Sequence, residues 1–299
     1  MLQQYNPKNK DIMVHVGGEL LHRDEAKVSV FDSAVQGGDA VWEGLRVYNG
    51  GLFCLDRHLD RLIHSARTLA FENIPDPAAI KTAIKETLKA NGMTDETHIR
   101  LTLTRGEKVT SGMDPRLNQK GCTLIVLAEW KPLVYDNKAG IRVITSHIRR
   151  NSPEFLDSKI HHANLLNNIL AKIQANIAGV DAAVMLDDRG FVAELNDVNL
   201  FMAKGGELFT PFANACLHGI TRGLVMEIAS SLGMKVTEKN LSLTEFYAAD
   251  EVFTSGTMGE MTPVREIDGR KIINEAHEEL LPRIAEAFRR RVPELCEAI

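Results

Sequence analysis

Cysteine is scarce: Cys54, Cys122, Cys216 and Cys296 are far apart in 299 residues, and none belongs to a C-x-x-C pair. That spacing excludes a disulfide framework and leaves reduced, mostly core thiols. Long apolar runs are missing too, so no transmembrane span is expected. The start, M-L-Q-Q-Y-N-P-K-N-K, lacks the apolar core of a secretory signal, which makes the cytoplasm the expected compartment. There is no basic excess. A net charge of -5 gives no footprint for nucleic acid, and an acidic substrate would need a local basic pocket. Gly37-Gly38 does not continue as G-x-G-x-x-G, which excludes a dinucleotide fingerprint there. No internal repeat, low-complexity tract or metal-ligand set is read.

What is present is an ordinary globular composition, 44% hydrophobic and 25% charged, on a chain long enough for two domains. The pattern is α/β. Ile12 to Val16 reads as a strand turned by Gly17-Gly18, and Val28 to Phe31 as the opening of a further element. Q-G-G-D-A-V-W-E-G-L-R-V-Y (36–48) leads to a strand that turns at N-G-G into Leu52 to Leu55. Leu55, Leu59, Leu62, Ile63, Ala66 and Leu69 mark an amphipathic helix that carries His58 and Arg61 on adjoining positions of one face. Asp76-Pro77 starts another helix and Asn91-Gly92 ends it. In H-I-R-L-T-L-T-R, alternation puts His98, Arg100, Thr102 and Thr104 on one polar face, open to water or lining a cavity for an anion. A small domain is expected over 1–130, a linker over 131–137 and a larger domain over 138–299, the last closing in a charged helix from Asn274 to Ala298.

The stretch D-S-K-I-H-H-A-N-L-L-N-N-I-L-A (157–171) is chemically the most suggestive. Leu165, Leu166, Ile169 and Leu170 recur at helical spacing, predicting a buried helix with Lys159 at its entrance. A lysine there, partly desolvated near Arg149 and Arg150, would have a lowered pKa and could attack a carbonyl. Taken alone, it reads as a solvated surface residue. In F-V-A-E-L-N-D-V-N-L-F-M, Glu194 lies between apolar neighbours and needs a partner if it is buried. L-H-G-I-T-R-G-L starts a helix near Gly219, Ile220 and Thr221, and T-S-G-T-M-G follows a strand with Gly256, Thr257 and Met258. Both are hydroxyl- and glycine-bearing turns suited to a phosphate.

Taken together, V-W-E-G-L-R (41–46), H-L-D-R-L (58–62), the Lys159 segment, F-V-A-E with N-L-F (191–201), G-I-T-R (219–222) and S-G-T-M-G-E-M-T-P-V (255–264) resemble the class IV aminotransferases. The motifs come in the family's order over nearly the whole chain. The V-W-E-G-L-R segment resembles the branched-chain form more than the D-amino-acid form. The resemblance implies a two-domain fold with pyridoxal 5'-phosphate between the domains. It also implies a homodimer, and amino transfer from a hydrophobic L-amino acid to 2-oxoglutarate. The alternative within the fold is a D-amino acid aminotransferase or an aminodeoxychorismate lyase.

By the same resemblance, Lys159 carries the cofactor and moves the α-proton, and Glu194 partners the pyridine nitrogen. Arg61, Gly219, Ile220, Thr221, Gly256 and Thr257 match the phosphate cup. Thr257 and Met258 match the α-carboxylate turn, and Arg100, with Arg46 and His98, the substrate-facing strands. Where branched-chain enzymes have tyrosines, this chain carries Gly37, His98 and Asn164.

Overall fold

The computed structural model describes residues 4–275 and 278–299. Ala276 and His277, part of the expected terminal helix, lie outside the described residues, as do the first positions of the expected small domain. Two compact units separate, and neither is continuous in sequence. One gathers residues 4–132, Ile160–Asn164 and Val292–Ile299; the other gathers Leu133–Lys159 and Leu165–Arg291. The final residues, expected with the C-terminal domain, thus belong with the N-terminal unit.

In the first unit, β1 (Met13–Val16) and β2 (Glu19–His22) form a hairpin over Gly17 and Gly18, both at positive φ. Val28 to Phe31 forms no strand. Val30 and Phe31 are exposed there, without a neighbouring strand, and Asp32 caps a short helix instead, α1 (Ser33–Gly37). Then come β3 (Ala40–Tyr48), β4 (Gly51–Phe53), α2 (Leu55–Thr68) and α3 (Pro77–Asn91). The capping signals of α3 act as read. Asp76 accepts from Ala79 N, and Gly92 closes the helix in the left-handed conformation. β5 (Thr97–Thr104) and β6 (Thr123–Trp130) complete this stretch.

The sheet is antiparallel and runs β4-β3-β5-β6-β1-β2. Period-two alternation divides its faces. Val41, Leu45 and Val47, with Ile99, Leu101, Leu103, Val126 and Ala128, pack into one core with Leu59, Leu62, Ile80, Ile84 and Leu88 of the two helices. Burying each large aliphatic side chain contributes about 1.5–3 kcal/mol. The other parity carries Trp42, Arg46, His98, Arg100 and Thr102, with Arg46 directly opposite His98 and Gly44 opposite Arg100.

The second unit comprises β7 (Ile141–Thr145), α4 (Leu166–Ile177), β8 (Ala182–Leu186), β9 (Val192–Leu195), β10 (Asn199–Lys204), β11 (Glu207–Pro211), α5 (Ile220–Ser231), β12 (Val236–Lys239), α6 (Leu243–Tyr247), β13 (Glu251–Gly256), β14 (Glu260–Ile267), β15 (Arg270–Lys271) and α7 (Leu280–Arg291). Its sheet is mixed, in the order β12-β11-β10-β13-β14-β7-β8-β9, with β15 paired to β14. Part of the expected linker packs into this unit. Tyr135 is buried and donates its hydroxyl to Asp197 at 2.8 Å, because a buried phenol needs an acceptor.

Helix α4 corrects the reading of the Lys159 region. It begins only at Leu166, and the leucine–isoleucine stripe faces outward, with Leu166 64% and Ile169 52% exposed. The buried side is Ala171 and Ala175 against Ala183 and Met185, since small side chains let the helix approach β8 closely. At the other end of the chain, α7 stops at Arg291, where one long helix was expected. Cys296–Ala298 then forms β16, which pairs with the edge of β4 in the first unit.

That pairing depends on Gly51. A Cβ built there would lie 2.5 Å from Cys296 Cβ. Gly51→Ala is therefore expected to destabilise the protein by about 1–3 kcal/mol through overpacking. Adding Cys296→Gly should recover a measurable part of the loss in urea unfolding. An unchanged midpoint in the single variant would contradict the steric account.

Candidate active site

In the first unit the motif residues on β3 and α2 meet at one buried carboxylate. Glu43 has the same parity as Val41, Leu45 and Val47, facing the helices, and is fully buried. Arg61 binds it as a fork, Nε to Oε1 and a terminal nitrogen to Oε2, each at 2.7 Å. His58 Nδ1 lies 2.7 Å from Oε2 and His161 Nδ1 3.0 Å from Oε1. Burial alone would raise the Glu43 pKa, but Arg61 and His161 hold it well below the usual carboxylate range. An ionised carboxylate only accepts, so each imidazole presents its proton on Nδ1. His161 reaches the cluster because Ile160–Asn164 adds to the outside of β3: Trp42 N donates to His161 O at 2.9 Å and Ala163 N to Ala40 O at 2.8 Å.

The opposite face of the same sheet carries Arg46 and Arg100 around His98, with Glu129 across from His98 on β6 and 3.9 Å from Lys131. Arg46 is 6% exposed and its Nε finds no partner, and the buried His98 Nε2 is likewise unsatisfied. Burial, then the charges of Lys131, Arg46 and Arg100, push the His98 imidazole down to about 3, so it is neutral at working pH. Among the described residues no carboxylate pairs with Arg46 or Arg100. Buried donors without acceptors cost about 1–3 kcal/mol each, and such a cost marks a place built for an anion.

In the second unit Glu194 is buried on β9. Arg150 Nε lies 2.8 Å from Oε1, and Asn199 Nδ2 donates to Oε2 at 3.1 Å. Burial raises the Glu194 carboxyl to about 7 despite Arg150. Asn199 also donates to Leu217 O, and a Cβ at Gly219 would sit 2.0 Å from Asn199 Oδ1, so the start of α5 closes tightly on this residue. Gly219 supplies no side-chain cap to α5, which leaves the first N–H groups, at Ile220 and Thr221, open for an anion. The Thr221 and Thr257 hydroxyls stand 3.5 Å apart, and the neighbouring Ser255 hydroxyl is buried without a partner among the described residues. Gly256 ends β13 with no room for a Cβ, which would meet Val198 at 2.9 Å. Met258 O accepts from Val134 N at 3.2 Å.

Lys159 differs from its expected setting. It sits in an exposed turn, and Asp157 Oδ1 accepts from both its backbone N and its Nζ, each at 2.9 Å. An anion holds the amine in place of the expected cations. The Asp157-Ser158-Lys159 turn explains this, because an aspartate two residues upstream reaches both groups.

The family model described as amino-transferase class IV matches residues 40–267. The chain belongs to the class IV aminotransferases. It is 60% identical over 266 residues to branched-chain-amino-acid aminotransferase-like protein 2 of Arabidopsis thaliana, covering 89% of this chain and 48% of that protein. It therefore spans about half the length of that relative. The branched-chain-amino-acid aminotransferase of Pseudomonas aeruginosa is 32% identical, covering 88% of this chain and 87% of that one. Among solved structures, the T.th. branched-chain amino acid aminotransferase complexed with N-(5'-phosphopyridoxyl)-L-glutamate superposes with TM-score 0.87 at 33% identity, covering 95% of each chain.

Among class IV aminotransferase motifs, V-W-E-G-L-R thus carries more than its arginine. Glu43 and Trp42 were not singled out from sequence, although a carboxylate on an apolar parity was a signal available there. Arg150 was noted only as a cation near Lys159, yet it pairs with Glu194.

Glu194 gives a pH prediction. A carboxyl raised from 4.5 to about 7 contributes stability that is fully present below pH 4.5 and is lost as pH rises through 7. Glu194→Gln removes this dependence. Without cofactor, wild type should lose up to about 3 kcal/mol relative to Glu194→Gln between pH 4.5 and 8. Parallel pH profiles of urea unfolding would contradict the assignment.

Proposed function

We propose that this chain is a pyridoxal 5'-phosphate-dependent aminotransferase that moves the amino group of a branched-chain or other hydrophobic L-amino acid to 2-oxoglutarate. What supports the reading is, in the first unit, a face where Arg46 Nε and His98 Nε2 lack acceptors and Arg100 has no carboxylate partner, and, in the second unit, buried Glu194 and the start of α5. The residues suit the cofactor: open N–H groups at Ile220 and Thr221, the unsatisfied Ser255 hydroxyl and the Thr257 turn fit a phosphate, and buried Glu194 fits a protonated ring nitrogen. By the family resemblance Arg61, whose Nε and one terminal nitrogen are held by Glu43, would be the side-chain cation for the phosphate. When bound, the cofactor supplies the electron sink for the substrate Cα–H bond that breaks.

Lys159 Nζ would hold the cofactor and carry the proton removed from the substrate Cα. Asp157 keeps that amine in its turn. Glu194, with Arg150 and Asn199 fixing its two oxygens, would partner the protonated ring nitrogen. Thr257 and Met258 take the substrate α-carboxylate. Arg100, with Arg46 and neutral His98, takes the distal carboxylate of the acceptor. The related T.th. enzyme was solved with a phosphopyridoxyl-glutamate adduct, which agrees with a dicarboxylate partner.

A homodimer and a cytoplasmic location complete the proposal. Leu166, Ile169, Leu170, Ile173 and Ile177 leave an apolar face of α4 exposed, which suits coverage by a second copy, and the cysteines are free, as in a reducing compartment. A second reading follows from the same arginine-bearing face: with Gly37, His98 and Asn164 where tyrosines are usual, Arg100 would take the α-carboxylate instead, as in D-amino acid enzymes.

Two experiments separate these readings. Borohydride reduction followed by peptide mapping should place the pyridoxyl group on Lys159, and Lys159→Ala should fold yet lose at least about 10²-fold in turnover. A label on another lysine would overturn the role. Arg100→Ala should raise the 2-oxoglutarate KM by tenfold or more, on the scale of about 2–5 kcal/mol for a truncated buried charge pair. The monocarboxylate acceptor 4-methyl-2-oxopentanoate should react almost as in wild type. Equal losses for both acceptors would favour the second reading.

A further inference from the structure

Arg61 and Arg100, both in the first unit, are held in different ways. Arg61 is gripped through its N–H edge, with Nε and a terminal nitrogen both directed at Glu43. Arg100 is held through its face, its guanidinium carbon lying 3.5 Å from the centroid of the Trp42 ring. A guanidinium stacked on an indole gains cation–π attraction while its in-plane N–H fork is left uncommitted, whereas a carboxylate partner would occupy the fork.

Trp42 is itself fixed on three sides. Its backbone N donates to His161 O at 2.9 Å and its indole N–H to His162 O at 3.2 Å. The His161 ring packs on it with centroids 4.2 Å apart and planes tilted by 41°. His161 is in turn anchored through Nδ1 on Glu43 Oε1 at 3.0 Å. A leucine at position 42 would fill space but offer no π face, and a lysine at position 100 would keep charge but could not lie flat.

We propose that Trp42, steadied by His161, is a positioning residue for acceptor specificity: it holds Arg100 by its face so that the whole N–H fork stays available to a distal carboxylate. The inference rests on reading Arg100 as the acceptor's arginine. It assigns a role to V-W-E-G-L-R that does not depend on Trp42 touching substrate.

The test is steady-state kinetics of the holoenzyme with 2-oxoglutarate and 4-methyl-2-oxopentanoate. Trp42→Leu should raise KM for 2-oxoglutarate about three- to thirtyfold, the range of a partly desolvated cation–π contact, with kcat little changed. KM for the monocarboxylate should stay within about twofold, and Trp42→Phe, which restores a ring, should recover most of the selectivity. Wild-type selectivity in Trp42→Leu, with Arg100→Ala still selective, overturns the platform and leaves the acceptor reading intact. Equal losses for both acceptors in Trp42→Leu make Trp42 merely structural and overturn the proposal. Unselective Arg100→Ala overturns the acceptor reading and the platform together. If Trp42→Leu does not fold, Trp130→Phe leaves Trp42 as the sole tryptophan. Its emission should then shift with 2-oxoglutarate and not with 4-methyl-2-oxopentanoate, and no difference overturns the proposal.

Discussion

Glu43 is the constraint on which the first unit turns. A carboxylate buried in an apolar core costs several kcal/mol unless charge and hydrogen bonds compensate it, and removing one partner of such a set costs about 3–5 kcal/mol. Compensation comes from three side chains on two separate segments: Arg61 and His58 on α2, and His161 in the stretch added outside β3. The cluster therefore forms only when α2, β3 and Ile160–Asn164 are all in register. A buried ionic group of this kind specifies arrangement more than it adds stability.

The two faces of one sheet thus hold their arginines differently. On the helix-covered side the single acid is saturated, and its arginine is fixed by the fork. On the other side no carboxylate among the described residues pairs with Arg46 or Arg100, Glu129 opposite His98 lies against Lys131, and Arg100 rests on an aromatic face. Glu194 shows the opposite balance from Glu43. Two buried carboxylates in one chain diverge because Glu43 receives a bidentate arginine and two imidazoles, while Glu194 has one arginine and one amide against strong desolvation. Environment, not residue type, sets what each can do.

Much of this was legible in the sequence where local rules dominate. Asp76-Pro77 and Asn91-Gly92 bound α3, Gly17-Gly18 turn the first hairpin, and the alternation after Thr97 puts His98 and Arg100 on one face. The class IV motifs named the family. Illegible were features decided by long-range pairing. Nothing local says that Cys296–Ala298 will extend the sheet at β4, or that the leucines of α4 will face outward while alanines pack inward. Lys159 was placed at a buried helix because helical spacing downstream was extended too far back, whereas an Asp157 turn and the added segment intervene. Glu43 and Trp42 were read only as motif letters, since their roles depend on partners far away in sequence.

The proposed reaction is amino transfer from a hydrophobic L-amino acid to a dicarboxylate 2-oxo acid. Single-turnover absorbance of the cofactor-loaded protein with L-leucine, D-alanine and aminodeoxychorismate tests it most directly. The account predicts conversion of the bound cofactor to its amino form by L-leucine alone, reversed on adding 2-oxoglutarate. Conversion by D-alanine but not L-leucine, or release of pyruvate from aminodeoxychorismate without net amino transfer, would contradict it.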